Sequence, residues 1–145
     1  MRRAAWLLVV SSSVGTAMAA PGMAAPDAVA ARMKAQPESA QAAYRLGLMH
    51  RHGTGVPRDA ARAAHLVGIA ARGQLPAAMF TLSNMLAAGE GVARDEAGAR
   101  RWLEAAAALG YPAALQQLAL TEPDPRKADL LMRQAGHALQ HQAEE

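Results

Sequence analysis

The chain of 145 residues contains no cysteine. Disulfides, thiol nucleophiles, cysteine metal sites and a lipid-modified N-terminal cysteine are therefore excluded. Aromatic residues make up only 3% of it, so any core must be built from small and aliphatic side chains. Alanine buries little area per residue, and helices built on it must approach closely to stabilise one another. Serine is scarce beyond residue 20, where only Ser39 and Ser83 occur. Neither lies in a Gly-x-Ser-x-Gly elbow or a Ser-x-x-Lys motif. A His-Glu-x-x-His pair and a Gly-Lys phosphate loop are also missing.

Acid is absent from residues 1–26, whose only basic residues are Arg2 and Arg3. Met1-Arg2-Arg3 is followed by the apolar run Ala4-Ala5-Trp6-Leu7-Leu8-Val9-Val10 and a small-residue stretch ending Ala17-Met18-Ala19. That is the three-part layout of a secretory signal peptide, 1–19, with Ala24 as the second-choice cleavage position. The apolar run is too short to span a bilayer and is diluted by Ser11, Ser12, Ser13 and Gly15. The expected product is an exported protein, periplasmic or secreted, with no stable membrane span. Less Arg2 and Arg3, the 15 basic residues face 12 acidic ones, a net charge of about +1. So balanced a surface exerts little long-range pull on nucleic acid, despite the basic pI.

What is present in quantity is repetition. Gly53-Thr54-Gly55-Val56-Pro57-Arg58-Asp59 returns 36 positions later as Gly89-Glu90-Gly91-Val92-Ala93-Arg94-Asp95. Leu75-Pro76-Ala77-Ala78 returns at the same interval as Tyr111-Pro112-Ala113-Ala114. Helix periodicity fills the intervals. Residues 20–39 read as a flexible leader and a short helix over 27–35, capped by Asp27. A helix from about Ala40 to His52 places Ala42, Leu46, Met49 and His50 on one face. Gly53 ends it, and Asp59 caps a second helix carrying Ala63, Leu66 and Ala70, which ends near Gly73. The same order runs from Pro76 to Gly89 and from Asp95 to Gly110, and a third first-helix carries Leu115, Leu118 and Leu120. Asp124 then follows Asp95 by 29 residues, so the third copy has lost the glycine loop. Repeat 1 spans 40–75, repeat 2 spans 76–111, and a truncated capping repeat spans 112–139, with a polar, frayed tail over 140–145. The predicted fold is all-α, a short right-handed α-solenoid of stacked antiparallel helix pairs. One such pair cannot bury its apolar face alone, and about three are needed.

These residues resemble the Sel-1-like repeat, a relative of the tetratricopeptide repeat. Leu46-Gly47, Gly53-x-Gly55-Val56, Asp59, Ala63, Ala70-Ala71 and Gly73 carry the pattern in the first copy. Gly89-x-Gly91-Val92, Asp95, Ala99, Trp102, Ala106-Ala107 and Gly110 carry it in the second. Leu66 departs from the pattern's tryptophan, His50 from its aromatic and Ser83 from its glycine. The resemblance implies a binding scaffold, and exported bacterial members are linked to envelope assembly, signalling regulation and host contact.

The remaining chemistry has structural explanations. Asp59, Asp95 and Asp124 recur once per unit at a helix start, as caps do. Gly53, Gly55, Gly89 and Gly91 follow a helix rather than a strand and lack the third glycine of a dinucleotide loop. Among the five histidines, His137 and His141 share a helix face, but no carboxylate is spaced to complete a metal site. No cofactor and no metal are expected, and the chain reads as a non-enzyme. The expected function is a protein–protein interaction module, an adaptor or regulator. The alternatives are an exported hydrolase of β-lactams or cell-wall peptide, and a self-associating spacer. The first helix of each pair lines the concave side of such a stack. Arg45, Leu48 and His52, then Thr81 and Asn84, then Gln117 fall opposite the seam and differ from copy to copy, as a strip for a protein or peptide partner would.

Overall fold

Repetition becomes six helices in the computed structural model, which describes residues 37–144. The signal segment, the leader and the short helix expected over 27–35 lie outside the described residues. The helices are α1 (Pro37–His52), α2 (Ala60–Arg72), α3 (Pro76–Ala88), α4 (Glu96–Ala108), α5 (Pro112–Thr121) and α6 (Pro125–Ala143). No strand occurs among the described residues. Contacts are densest within α1–α2, α3–α4 and α5–α6, and continue between α2 and α3 and between α4 and α5. The molecule is thus an all-α stack of three helix pairs.

Each helix begins where the sequence supplies a cap or a proline. The Asp59 carboxylate accepts from the Arg62 N–H at 2.9 Å, and that of Asp95 from the Gly98 N–H at 2.8 Å. Asp124 accepts from the Arg126 N–H at 2.9 Å, one residue earlier. Such caps satisfy donors that the first turn leaves free, each worth about 1 kcal/mol. Pro76, Pro112 and Pro125 open their helices where a missing N–H costs nothing.

Both glycine loops have one backbone design. Gly53 and Gly89 take φ of +72° and +70°, the left-handed conformation that ends a helix and that side chains resist. The Gly53 N–H donates to the Met49 carbonyl, and the Gly89 N–H to that of Met85. The loops close when the Asp59 N–H donates to the His50 carbonyl (2.9 Å) and the Asp95 N–H to the Leu86 carbonyl (3.0 Å). Gly73 ends α2 as expected but with a negative φ; Gln74 adopts the left-handed turn, at φ +68°. Its equivalent 36 residues on is Gly110, at +76°.

The core is largely alanine, as the paucity of aromatics required. Ala63, Ala70, Ala71, Ala78, Ala106 and Ala114 are fully enclosed, and Val67 and Met85 are the largest fully buried side chains. Close approach is visible at Gly47, where an added Cβ would lie 2.9 Å from Val67 Cγ2.

Three sequence expectations are corrected. α1 starts at Pro37 instead of Ala40, because proline is accepted in a first turn. Its buried face is Ala40, Ala43, Gly47 and His50, whereas Ala42 is exposed and Leu46 and Met49 are partly so. Period alone does not fix the face when alanines stand on every side of a helix. Finally, α6 continues through the expected tail to Ala143, since nothing after Pro125 breaks it. Its exposed side bears Leu130, Met132 and Leu139, together with an Asp129–Arg133 ion pair.

Candidate functional site

The first helices, α1, α3 and α5, are tied side by side by polar side chains. Tyr44 on α1 hydrogen-bonds Thr81 on α3 through their hydroxyls at 3.0 Å. The Gln117 amide on α5 lies 3.5 Å from the Asn84 carbonyl oxygen on α3. Phe80 and Tyr111 pack with ring centroids 5.5 Å apart, and burial pushes the Tyr111 hydroxyl above its ordinary pKa, helped by Tyr44.

A further link is ionic. Arg51, in the last turn of α1, donates from Nε (3.0 Å) and from a terminal nitrogen (2.8 Å) to the two carboxylate oxygens of Glu90, in the second glycine loop. This paired geometry suits a guanidinium. The hydrogen bonds from Arg51 hold the Glu90 carboxyl below its usual range against the opposing effect of burial, and the charges of Arg51, Arg58 and His52 assist. Reciprocally, Arg51 is held above its ordinary value. Arg51, His52, Arg58 and Glu90 line a shallow depression of about 340 Å³.

The six predicted strip residues divide under this geometry. Arg45 and His52 are exposed, and Leu48, Asn84 and Gln117 are half-buried. Thr81 does not belong to the strip. It is only 7% exposed, because Tyr44 reaches across to its hydroxyl. The sequence reading missed Leu120, which is 77% exposed and stands 36 residues after Asn84 and 72 after Leu48. That register could have found it; the reading instead placed Leu120 with the seam leucines Leu115 and Leu118, which are buried. The repeat-motif residues lie in the loops and caps. Gly53, Gly55, Gly89 and Gly91 have positive φ, and Asp59, Asp95 and Asp124 cap helices.

The other candidates offer less. His137 and His141 meet through their Nε2 atoms at 3.1 Å, and among the described residues no group of three His, Asp or Glu could hold a metal. His50 is buried, with its ring Nδ1 3.3 Å from the Pro57 carbonyl, so it fastens the first loop to α1. Among the described residues no helix is long and apolar enough to cross a membrane.

The family model described as Sel1 repeat matches residues 40–74 and 76–111. Among solved structures, the chain is similar to a Sel1 repeat protein from Oxalobacter formigenes, with 28% identity over 79% of this chain and a TM-score of 0.63. It is also similar, at 30% identity over 71% of this chain and a TM-score of 0.63, to a protective antigen present in uropathogenic Escherichia coli strains that displays an SLR fold. The matched part spans 46% of the first protein and 24% of the second. A search of curated proteins gave no match.

Proposed function

The chain is a Sel1 repeat protein, with two copies matched, and from that premise we propose that it is an exported, non-catalytic adaptor or regulator. Repeats of this kind generally serve protein–protein interaction. Arg45, Leu48, His52, Asn84, Gln117 and Leu120 form its contact strip on the first helices, and a protein or peptide is the partner. One observation carries the reading. Side-chain bonds fix the first helices side by side, while equivalent positions on them hold different residues: Leu48, Asn84 and Leu120. A large apolar side chain held out in solvent at such a position is an anchor for a partner. Arg45 and His52 supply charge and hydrogen bonding at the other end.

Residues 1–19 support export, to the periplasm in a cell with two membranes, and mass measurement on the exported protein should find Ala20 as its first residue. Crosslinking in the native compartment followed by mass spectrometry identifies the partner. Arg45→Glu combined with Leu120→Asp should then reduce capture of that partner about tenfold or more without lowering the melting temperature. Undiminished capture would exclude the strip. Turnover of wall peptides or β-lactams by the purified chain would overturn the non-catalytic reading.

A further inference from the structure

Among the described residues, the front of the stack is an unfilled copy of its own internal interface. In the second repeat, Leu82 and Met85 are 7% and 0% exposed. Their equivalents 36 residues earlier, Leu46 and Met49, are 38% and 36% exposed. Gly91 is pressed against the start of α2, so that an added Cβ would lie 1.9 Å from the Ala60 carbonyl oxygen. Gly55 has the same backbone, at φ +73°, and among the described residues an added Cβ there would meet only Met49 Cε, at 3.5 Å. The leucine and methionine of α1 and the glycine of its loop therefore stand at the front as their equivalents stand on α3 and its loop, where α2 covers them.

The occupant is written in the sequence just ahead. On α2 four of the residues at the second repeat are small: Ala60 beside Gly91, and Ala61, Ala64 and Gly68, which together with His65 and Arg72 line a groove shared with Leu82 and Val92. Subtracting 36 gives Ala24, Ala25 and Ala28, with Arg32 at the fourth place. The opposite requirement also fits. Ala63 and Ala70 share the α2 face of Leu66 and Val67, which packs against Gly47 of α1. Their counterparts are Asp27 and Lys34. Residues 24–35 thus put Ala24, Ala25 and Ala28 on the side that would meet α1, with Arg32 in the last turn of that side, and Asp27 and Lys34 on the side that α2 turns to the first helix of its own pair. Such a segment suits a lone covering helix with its charged side in water.

The other end of the stack is not a competing occupant. On α6, counted from the capping aspartate, Arg126 and Asp129 replace Ala61 and Ala64, where residues 24–35 have Ala25 and Ala28. Bulk and charge at those places prevent α6 of a second copy from entering the same seat.

We propose that residues 24–35 dock as a helix across Leu46, Met49 and Gly55, closing the front of the stack. Docking requires the first turn of α1, residues 37–39, to open into a link, because Gly73–Leu75 and Leu109–Tyr111 are the links at the equivalent positions before α3 and α5. The absence of cysteine makes the test direct. In the full 145-residue chain, Ala28→Cys with Leu46→Cys should form a disulfide within one molecule at high dilution. Leu46→Cys alone should react with a thiol reagent about tenfold or more slowly than Leu120→Cys, the protection expected of a site that opens only locally. Ala28→Arg should remove that protection while the melting transition persists. Disulfide-linked dimers would assign the face to a second copy and overturn the proposal. Equal reactivity at both positions, with no disulfide, would leave the face open for another protein and overturn it equally.

Discussion

The two glycine loops share five of seven residues and one backbone, yet they carry different loads. The second is a contact between repeats: Gly91 lies on the Ala60 carbonyl, and Glu90 holds Arg51 of the preceding pair. The first has Thr54 in place of Glu90, and among the described residues its Gly55 approaches only one methyl group. Identical motifs thus do local work everywhere and interface work only where a neighbouring pair stands on them. A repeat's sequence specifies its turn, while its place in the stack decides what that turn supports.

The comparison breaks first at the glycines. In a chain carrying Ala28→Arg, which keeps the front open, Gly91→Ala should cost on the order of 4 kcal/mol, since it adds a backbone collision to left-handed strain. Gly55→Ala should cost only about 1–2 kcal/mol, the strain alone. Denaturant midpoints measure both, and equal costs would refute the division of labour. The methionines come next. In the same background Met85→Ala should lose roughly 3 kcal/mol and Met49→Ala about 1 kcal/mol, because only the first leaves a closed cavity. With Ala28 restored, a filled front should narrow that difference.

A gain is expected at Gln74, which occupies the left-handed position that Gly110 holds in the next copy. Gln74→Gly should raise stability by about 1 kcal/mol, visible as a higher melting temperature. The smallest effect is acidic. The hydrogen bonds from Arg51 hold the folded-state pKa of Glu90 below the ordinary glutamate value, so its contribution is present in full above that ordinary value. It disappears as pH falls through the depressed folded value. Glu90→Gln should remove this part of the acid sensitivity, and a pH series of denaturant midpoints compares the two chains. An unchanged acid limb would mean that the Arg51 link contributes nothing.

Much of this was legible in residue order. Asp59, Asp95 and Asp124 announced caps, and the prolines at 76, 112 and 125 announced helix starts, because those signals act within one turn of backbone. The loss of seven residues before Asp124 announced the shortened link between α5 and α6. Of the face read for α1, His50 is buried, but Ala42, Leu46 and Met49 stand one residue before the buried positions Ala43, Gly47 and His50. With Ala42 and Ala43 adjacent and Leu46 beside Gly47, side-chain size does not say which stripe turns inward. Thr81 looked like surface because its partner, Tyr44, is 37 residues away. The ion pair between Arg51 and Glu90, 39 residues apart, was missed for the same reason.

Sequence alone determined the helix-pair repeat, the caps and prolines at which α2 to α6 start, and a core built from alanine. These follow from caps, glycine conformations and side-chain volumes, all local properties. Only the tertiary structure decided which stripe of α1 is buried, which glycine loop bears a neighbour, and that Leu120, not Thr81, reaches solvent among the first helices. Those outcomes depend on what stands one repeat away, and identical local sequence is silent about that.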